Sequence, residues 1–378
     1  MIRGMHLQPH IGKRGRRLGG PHGAALVLVC ALLASTPGAC TAPGAPGLGA
    51  REPTSSAATF PPPAAAWAQV FFTSPDDFTG DYRGGADTPI VASLDAARFT
   101  VDVACLEINL YSISRALIRA GERGVKVRVV VDSTYVQTRA LSDLEQAGIP
   151  VLGDRREGLM HDKFVVVDGA LVWTGSMNLT TSDTYRNNNN LLRIESAELA
   201  QAYLREFDEM FVDDMFGPES PRGWPAPRIE FGASWAEVYF APDDAPAERL
   251  LQVLESAQHT IRFMAFSLTS EAVADTLIHQ ARQGVEVAGV MEESQVRSNA
   301  NGKYDLLRAA GIDVHLDGNT RNMHHKVIIV DDEFVITGSY NFSYNAENVN
   351  DENMLILHDR ELARLYLEEF DRVWRQAQ

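Results

Sequence analysis

The chain carries the same sequence pattern twice, and this duplication limits its possible folds more than any other feature. VFFTSPDD at residues 70–77 is matched by VYFAPDD at 238–244, and each precedes an amphipathic helical pattern. The apolar runs VDVACLEI and IRFMAFSL come next, then helical stretches ending in Gly124 or Gly284, then VKVRVVVD and VEVAGVME. Apolar strands that alternate with helices predict an α/β protein with mainly parallel or mixed sheets covered on both faces. We expect two fused halves related by a pseudo-twofold axis.

The pattern divides the chain into five predicted segments. These are an export signal at 1–39, a disordered Pro/Ala/Gly-rich linker at 40–66, an N-terminal half at 67–216, an inter-half linker at 217–232 and a C-terminal half at 233–378. The signal combines basic residues with the apolar run GAALVLVCALLA, which is shorter than the roughly 20 residues that span a bilayer. A buried core helix is the alternative. We expect export from a bacterial cell, to the periplasm, the outer membrane or the medium.

Cys40 is a candidate for lipidation. It stands where the acylated cysteine of a bacterial lipoprotein would stand, although Pro37 occupies a position that usually holds Leu. A lipid there would tether the protein to a membrane surface without a spanning helix. Cys30 would leave with the signal and Cys105 has no evident partner, so no intramolecular disulfide is expected.

The richest chemistry lies in two matching segments, HDKFVVVDGALVWTGSMN and HHKVIIVDDEFVITGSYN. Their matched positions are His161 and His324, Lys163 and Lys326, Asp168 and Asp331, Gly175 and Gly338, Ser176 and Ser339, and Asn178 and Asn341. Alternate residues of a strand share a face, so each His-x-Lys places an imidazole beside an ammonium group, while Asp162 and His325 point to the other face. Two imidazoles could act as nucleophile and acid on one phosphodiester, while lysine and asparagine stabilise its oxygens.

Both segments resemble the signature of the phospholipase D superfamily, HxKxxxxDxxxxxxGSxN, without departure. The resemblance implies two phospholipase D-like α/β/α sandwich halves that form one active site. It also implies that one histidine forms a phosphohistidine while the other transfers protons, with His161 assigned to attack and His324 to acid-base work. By the same resemblance, the lysines and asparagines hold the phosphate with Ser176 and Ser339 in support, and Asp168 and Asp331 are structural.

A downstream carboxylate often fixes the histidine tautomer in this family, and Glu352 in NDENML fits that role. The matching residue of the first copy is Asn189, in NNNNLL, so the two histidines are not equivalent electrostatically. A carboxylate favours the imidazolium, which makes the histidine beside Glu352 the better acid. Whether Glu352 reaches His324 or crosses to His161 stays open at this stage.

The motif fixes the reaction class and leaves the substrate open. A phospholipid is the first candidate, hydrolysed to phosphatidate and a free headgroup by an exported, acidic and membrane-tethered enzyme. Transphosphatidylation uses the same intermediate. A non-specific endonuclease is the alternative, although the net charge of −16 argues against a phosphate-tracking groove. A binding module would not need two proton-transfer groups. No cofactor is expected, no cluster has metal-ligand spacing, and the protein is expected to function as a monomer.

Overall fold

A computed structural model describes residues 67–222 and 228–378, which belong to one compact unit. The predicted export signal, the Pro/Ala/Gly-rich linker and Cys40 lie outside the described residues. Within the described ranges, no helix combines the length and the apolar character needed to cross a membrane.

The first half contains seven strands and five helices. The strands are β1 (Ala68–Phe72), β2 (Thr100–Cys105), β3 (Lys126–Val131), β4 (Val151–Gly153), β5 (Lys163–Val167), β6 (Leu171–Gly175) and β7 (Asn190–Glu195). The helices are α1 (Asp87–Ala96), α2 (Tyr111–Glu122), α3 (Arg139–Gln146), α4 (Thr181–Tyr185) and α5 (Ala197–Phe211). Three short 3₁₀ turns lie at Pro75–Asp77, Ser133–Tyr135 and Gly217–Glu219.

The second half repeats this order with one additional strand at its start and one additional short helix. The strands are β8 (Arg228–Phe231), β9 (Ser234–Ala241), β10 (Thr260–Ala265), β11 (Glu286–Met291), β12 (Asp313–Leu316), β13 (Lys326–Val330), β14 (Phe334–Gly338) and β15 (Glu352–His358). The helices are α6 (Pro246–Glu255), α7 (Glu271–Arg282), α8 (Glu293–Ser298), α9 (Tyr304–Ala309), α10 (Tyr344–Asn348) and α11 (Arg360–Gln376).

The two sheets have the same strand order once the halves are aligned. The first is β1-β7-β6-β5-β2-β3-β4 and the second is β8-β9-β15-β14-β13-β10-β11-β12. Parallel pairing is confined to β2-β3-β4 and β10-β11-β12, and the other neighbouring strands of these sheets are antiparallel. The prediction of mixed sheets in a duplicated α/β fold is therefore confirmed.

Of the two predicted alternatives, mainly parallel and mixed sheets, the structure has mixed sheets, because each motif strand returns through a hairpin, β5-β6 or β13-β14, and a hairpin pairs its strands antiparallel. The predicted linker at 217–232 also holds a strand, since β8 at Arg228–Phe231 pairs with β9 at the edge of the second sheet.

Helices cover both faces of each sheet. The outer face of the first sheet packs on α1, α2 and α3, and the outer face of the second packs on α6, α7 and α9. The inner faces share one core that contains the apolar sides of α5 and α11, with Tyr203 and Tyr366 fully buried. Burial of one large apolar side chain stabilises a fold by about 1.5–3 kcal/mol, so this shared core makes separation of the halves costly.

A buried polar network fixes how the halves meet. Asn353 of the second half hydrogen-bonds three side chains of the first, at distances of 2.6–3.3 Å: Asp162, Thr174 and Tyr203. Its counterpart Asn190 bonds the equivalent three of the second half at 3.0–3.2 Å: His325, Thr337 and Tyr366. Because an unpaired buried amide is costly, this reciprocal pairing allows little sliding between the halves.

Candidate active site

Both histidines of the motifs lie at the contact between the halves. The N–H of His161 donates to the carbonyl oxygen of Asp351 in the other half at 2.9 Å, and the N–H of His324 donates to that of Asn188 at 2.9 Å. Each histidine lies two residues before the first residue of its buried motif strand, β5 or β13. The reciprocal backbone bridges therefore bring the two half-sites into one buried site.

Glu352 crosses the interface to His161, which resolves the question that the sequence leaves open. Its Oε2 atom lies 2.6 Å from Nδ1 of the His161 ring, and both side chains are buried. In the mirror position, Oδ1 of Asn189 lies 3.0 Å from Nδ1 of His324. Each ring is thus held at Nδ1 by the opposite half, and the chemistry falls to Nε2.

Sequence reasoning missed Asp183, the carboxylate of the other half-site. Nδ2 of Asn189 donates to Oδ1 of Asp183 at 3.1 Å, and the same oxygen lies 3.6 Å from Nδ1 of His324. The equivalent position in the second copy is Ala346. An alignment of the two copies could have found this residue, because Asp183 aligns with Ala346, just as Asn189 aligns with Glu352. Each half therefore supplies one buried carboxylate, and the two carboxylates lie at different distances from the histidine rings.

Both motif lysines are buried, and each ammonium donates to the carbonyl oxygen of the histidine two residues before it. The distances are 2.6 Å from Lys163 to His161 and 2.9 Å from Lys326 to His324. The Phe266 ring, which the sequence analysis did not single out, lies with its centroid 4.6 Å from the Lys326 ammonium and 4.6 Å from the His324 ring. The lysines are therefore fixed in place before any ligand arrives.

The charges of the site act on one another across the interface. Burial lowers the pKa of both lysines. The pKa of His161 is lowered by burial and by the positive charges of Lys163 and Lys326. Burial also raises the pKa of Glu352 to about 8, against the pull of the same two lysines. The pKa of His324 is lowered by burial and by Lys326, while Asp183 opposes that shift. A phosphate anion bound here would stabilise the charged form of both lysines.

The predicted supporting polar residues lie in the same site. The hydroxyl of Ser176 donates to Oδ1 of Asn189 at 2.8 Å, and that of Ser339 accepts from the N–H of Asn353 at 2.9 Å. The serines therefore anchor the polar N-terminal ends of β7 and β15. Asn178 is buried and Asn341 is partly buried, and the Oδ1 atoms of both amides have no partner among the described residues. Both oxygens are therefore available as hydrogen-bond acceptors.

Asp168 and Asp331 hold backbone rather than ligand. Asp168 accepts from the N–H groups of three consecutive residues, Arg98, Phe99 and Thr100, at 2.7–3.2 Å. Asp331 does the same for residues 258–260 at 2.7–2.9 Å. These bonds lower the pKa of both carboxyl groups, against a raising effect of burial. Each aspartate thereby ties the end of its motif strand to the start of the neighbouring strand, β2 or β10.

The glycines of the motif are required by a close approach. Gly175 has φ +145° and Gly338 has φ +132°, and a Cβ atom would lie 2.4 Å and 2.3 Å from the carbonyl oxygens of Asn190 and Asn353 respectively. This approach places the serine and asparagine of each motif against the polar end of β7 or β15. Any other residue would force the interface asparagines out of position.

Asp162 and His325 point away from the ligand side, as strand parity predicts. Asp162 accepts from Asn353 at 2.6 Å, and burial raises its pKa to about 7. Nε2 of His325 lies 2.9 Å from Oε1 of Glu369 on α11. Both side chains belong to the network that joins the halves.

Comparison with known proteins agrees with this geometry. The family described as "Cardiolipin synthase, PLD-like domain" matches residues 90–211 and again residues 250–374. The Mus musculus protein named mitochondrial cardiolipin hydrolase is 36% identical over 153 residues, which cover 40% of this chain and 68% of that protein. A protein named phospholipase D from Rickettsia prowazekii (strain Madrid E) is 32% identical over 139 residues, 37% of this chain and 67% of its own. Each match has about the length of one half.

Among solved structures, phosphatidylserine synthase from Haemophilus influenzae Rd KW20 aligns over 82% of this chain and 86% of its own, with a TM-score of 0.60. Its identity of 14% shows a shared fold alone. The family match is broader evidence, because it occurs twice, spans more than half of the chain and contains both histidine motifs. The chain therefore belongs to the phospholipase D superfamily of phosphodiesterases.

Proposed function

We propose that the protein hydrolyses a phospholipid to phosphatidate and a free headgroup through a phosphohistidine on His161. The observation that carries this proposal is the crossed pairing at the interface, Glu352 with His161 at 2.6 Å and Asn189 with His324 at 3.0 Å. The pairing orients two imidazoles from opposite halves towards one site, and it makes them chemically different.

The partner of His161 suits a nucleophile. A proton on Nδ1 that is bonded to the Glu352 carboxylate leaves the lone pair of Nε2 free to attack phosphorus. Attack makes the ring cationic, and the carboxylate 2.6 Å away stabilises that charge. The sequence predicts that the histidine beside Glu352 is the better acid. We assign it as the nucleophile instead, because a carboxylate that stabilises the imidazolium also weakens its acidity.

The partner of His324 suits an acid. The neutral amide of Asn189 makes the hydrogen bond to this ring, and the nearest carboxylate, Asp183, lies 3.6 Å from Nδ1 rather than the 2.6 Å that separates Glu352 from His161. An imidazolium on His324 is therefore stabilised less and gives up its proton more readily. As the N–P bond forms and the bond from phosphorus to the leaving oxygen breaks, Nε2 of His324 donates its proton to that oxygen. Water then attacks phosphorus, the N–P bond breaks, and the proton of the water returns to His324.

The cationic and amide groups would hold the non-bridging oxygens. Lys163 and Lys326 approach from opposite halves with their ammonium groups preset by backbone carbonyls. The side-chain N–H groups of Asn178 and Asn341 would donate further hydrogen bonds to the same oxygens. Such preorganised donors stabilise charge at the transition state without reorganisation. This set supplies nucleophile, acid and cations from side chains, so the reaction as proposed needs no metal ion.

Two observations support a lipid substrate. The relatives described above are named for cardiolipin hydrolysis and for phospholipase D. The net charge of −16 also disfavours a long polyanionic substrate, because binding of nucleic acid relies on many lysine and arginine contacts to phosphates.

The test uses purified protein, phosphatidylcholine vesicles and plasmid DNA, each assayed in the presence of EDTA. We expect release of choline, no nicking of DNA, and loss of activity in His161→Asn with unchanged circular dichroism. Nicking without choline release would replace the lipid proposal with a nuclease. Label bound to His324 through an acid-labile, alkali-stable N–P bond and none on His161, after trapping with labelled substrate, would reverse the assignment of the histidines.

We propose further that the protein is exported and carries a lipid on Cys40. The support is the basic and apolar N-terminal sequence described above. Growth of the expressing cells with labelled fatty acid tests it: incorporation that Cys40→Ala abolishes is expected, and labelling that persists in that variant would contradict it.

A further inference from the structure

The pseudo-symmetry of the fold exposes a difference away from the active site. In the second half, Arg372 of α11 lies between two carboxylates, bonding Glu369 at 2.6 and 2.8 Å and Asp76 of the first half at 3.1 Å. Nε2 of His325 also lies 2.9 Å from Oε1 of Glu369. A guanidinium group thus joins α11 of one half to the turn after β1 of the other.

On the opposite side of the molecule, a carboxylate stands at the position equivalent to Arg372. Alignment of the copies puts Glu206 at the position of Glu369, Glu209 at that of Arg372, and Asp243 at that of Asp76. One carboxylate oxygen from each of these three residues lies within 4.8 Å of those of the other two. The exchange of Arg for Glu209 removes the central positive charge and adds a third negative one.

The buried member of this group has an unpaired oxygen. Glu206 is 4% exposed, its Oε1 atom has no hydrogen-bond partner among the described residues, and the side chain lines a cavity that Glu209 and Asp243 also line. Oxygens of Glu209 and Asp243 are likewise buried without partners in the described ranges. A buried carboxylate oxygen without a hydrogen bond is unfavourable, and a bound cation would satisfy it.

A cationic side chain of the first half lies beside this group. Arg205 lines the same cavity, and it acts to lower the pKa of Asp244.

We propose that Glu206, Glu209 and Asp243 bind a calcium ion in the place that Arg372 fills in the other half. The three ligands are carboxylates, the hard oxygen donors that calcium prefers, and their spacing fits an ion with ligands at about 2.3–2.6 Å. The adjoining cavity of about 510 Å³ has room for the waters that would complete the coordination shell.

The site would act as a clamp between the halves. Glu206 and Glu209 lie on α5 of the first half, and Asp243 lies in the turn between β9 and α6 of the second. The ion would therefore join the two halves on one side of the molecule, as the salt bridge between Arg372 and Asp76 joins them on the other side. This inference concerns stability and does not depend on the proposed substrate.

Thermal unfolding with and without calcium tests the proposal. The protein, stripped with EDTA, is measured with and without about 1 mM calcium chloride, near the weak end of protein calcium sites. We expect calcium to raise the melting temperature by about 2–4 °C. Glu209→Arg, which copies the solution used by the second half, should melt at least as high as the calcium-loaded protein and should not respond to calcium.

A matched charge reversal separates this site from non-specific effects. Glu122→Arg changes an exposed residue of α2, on the opposite face of the first sheet from α5, and should keep the full calcium response. If Glu209→Arg does not fold, Asp243→Asn serves instead, with a reduced response expected. An unchanged melting temperature of the native protein, or an equal calcium response in the site variants, would overturn the proposal and leave protons as the neutralising charge.

Discussion

The charge of Glu352 provides the sharpest test of the proposed division of labour between the histidines. Glu352→Gln keeps the shape of the side chain and an oxygen that can accept from Nδ1 of His161, so the ring stays oriented. The substitution removes the negative charge 2.6 Å from that ring. It therefore isolates stabilisation of the cationic phosphohistidine from positioning of the imidazole.

The magnitude follows from the difference between charged and neutral hydrogen bonds. Bonds to charged groups contribute about 1.5–3 kcal/mol and neutral ones about 0.5–1.5 kcal/mol, a difference of about 1–2 kcal/mol. Glu352 is fully buried, so solvent does not screen the interaction. Above about pH 8, where the carboxyl group of Glu352 is ionised, a loss of this size lowers kcat/KM about 5- to 30-fold.

The pH profile should change in a defined direction. Burial raises the pKa of Glu352 to about 8, so below that pH its carboxyl group tends to keep a proton. Attack by Nε2 needs the carboxylate with a single proton on the Nδ1 side. We therefore expect kcat/KM to rise with pH through about 8 in the native protein, as the pKa value implies. Glu352→Gln should lack this rise.

The assay measures hydrolysis of bis(4-nitrophenyl) phosphate, which reports the chemistry whatever the natural alcohol groups are. Glu369→Gln is the matched control, because Glu369 is the other buried carboxylate bonded to a motif-adjacent histidine ring, that of His325, at 2.9 Å. It should affect stability without altering the pH profile. A native-like kcat/KM in Glu352→Gln, or an unchanged pH profile, would refute the role given to this charge.

Three further predictions follow from the same geometry. His161→Asn should lose activity on every phosphodiester. His324→Asn should lose far more activity with an alkyl leaving group than with 4-nitrophenolate, because 4-nitrophenolate departs unprotonated. Equal losses on the two substrates in steady-state assays would contradict the assignment. Gly338→Ala should cost at least about 2 kcal/mol in urea unfolding, because its Cβ would meet the carbonyl oxygen of Asn353, and a native-like midpoint would contradict this. Asp168→Ala should cost about 1–3 kcal/mol by the same assay through its lost backbone bonds, with kcat nearly unchanged in the remaining folded protein.

Much of the architecture is written in local sequence. The motif strands read FVVV and VIIV, their neighbours alternate with amphipathic helices, and the two copies align residue for residue around His161 and His324. Strand parity places Lys163 on the same side as His161 and turns Asp162 away, because side chains alternate along any strand. These features depend on the chain's own periodicity, so they can be read without coordinates. The same periodicity says little about strand direction, so it could not decide between mainly parallel and mixed sheets.

The pairing across the halves could be decided only by tertiary structure. Glu352 lies 191 residues from the ring it contacts, and a sequence pattern is equally compatible with a contact inside its own half. Packing of α5 and α11 between the sheets, with Asn190 and Asn353 locked to opposite halves, selects the crossed arrangement. The convergence of Glu206 and Glu209 with Asp243 has the same origin. The sequence alone determined the fold class and the chemical groups, whereas the interface decided which groups meet, because burial and hydrogen bonding between distant segments are satisfied jointly.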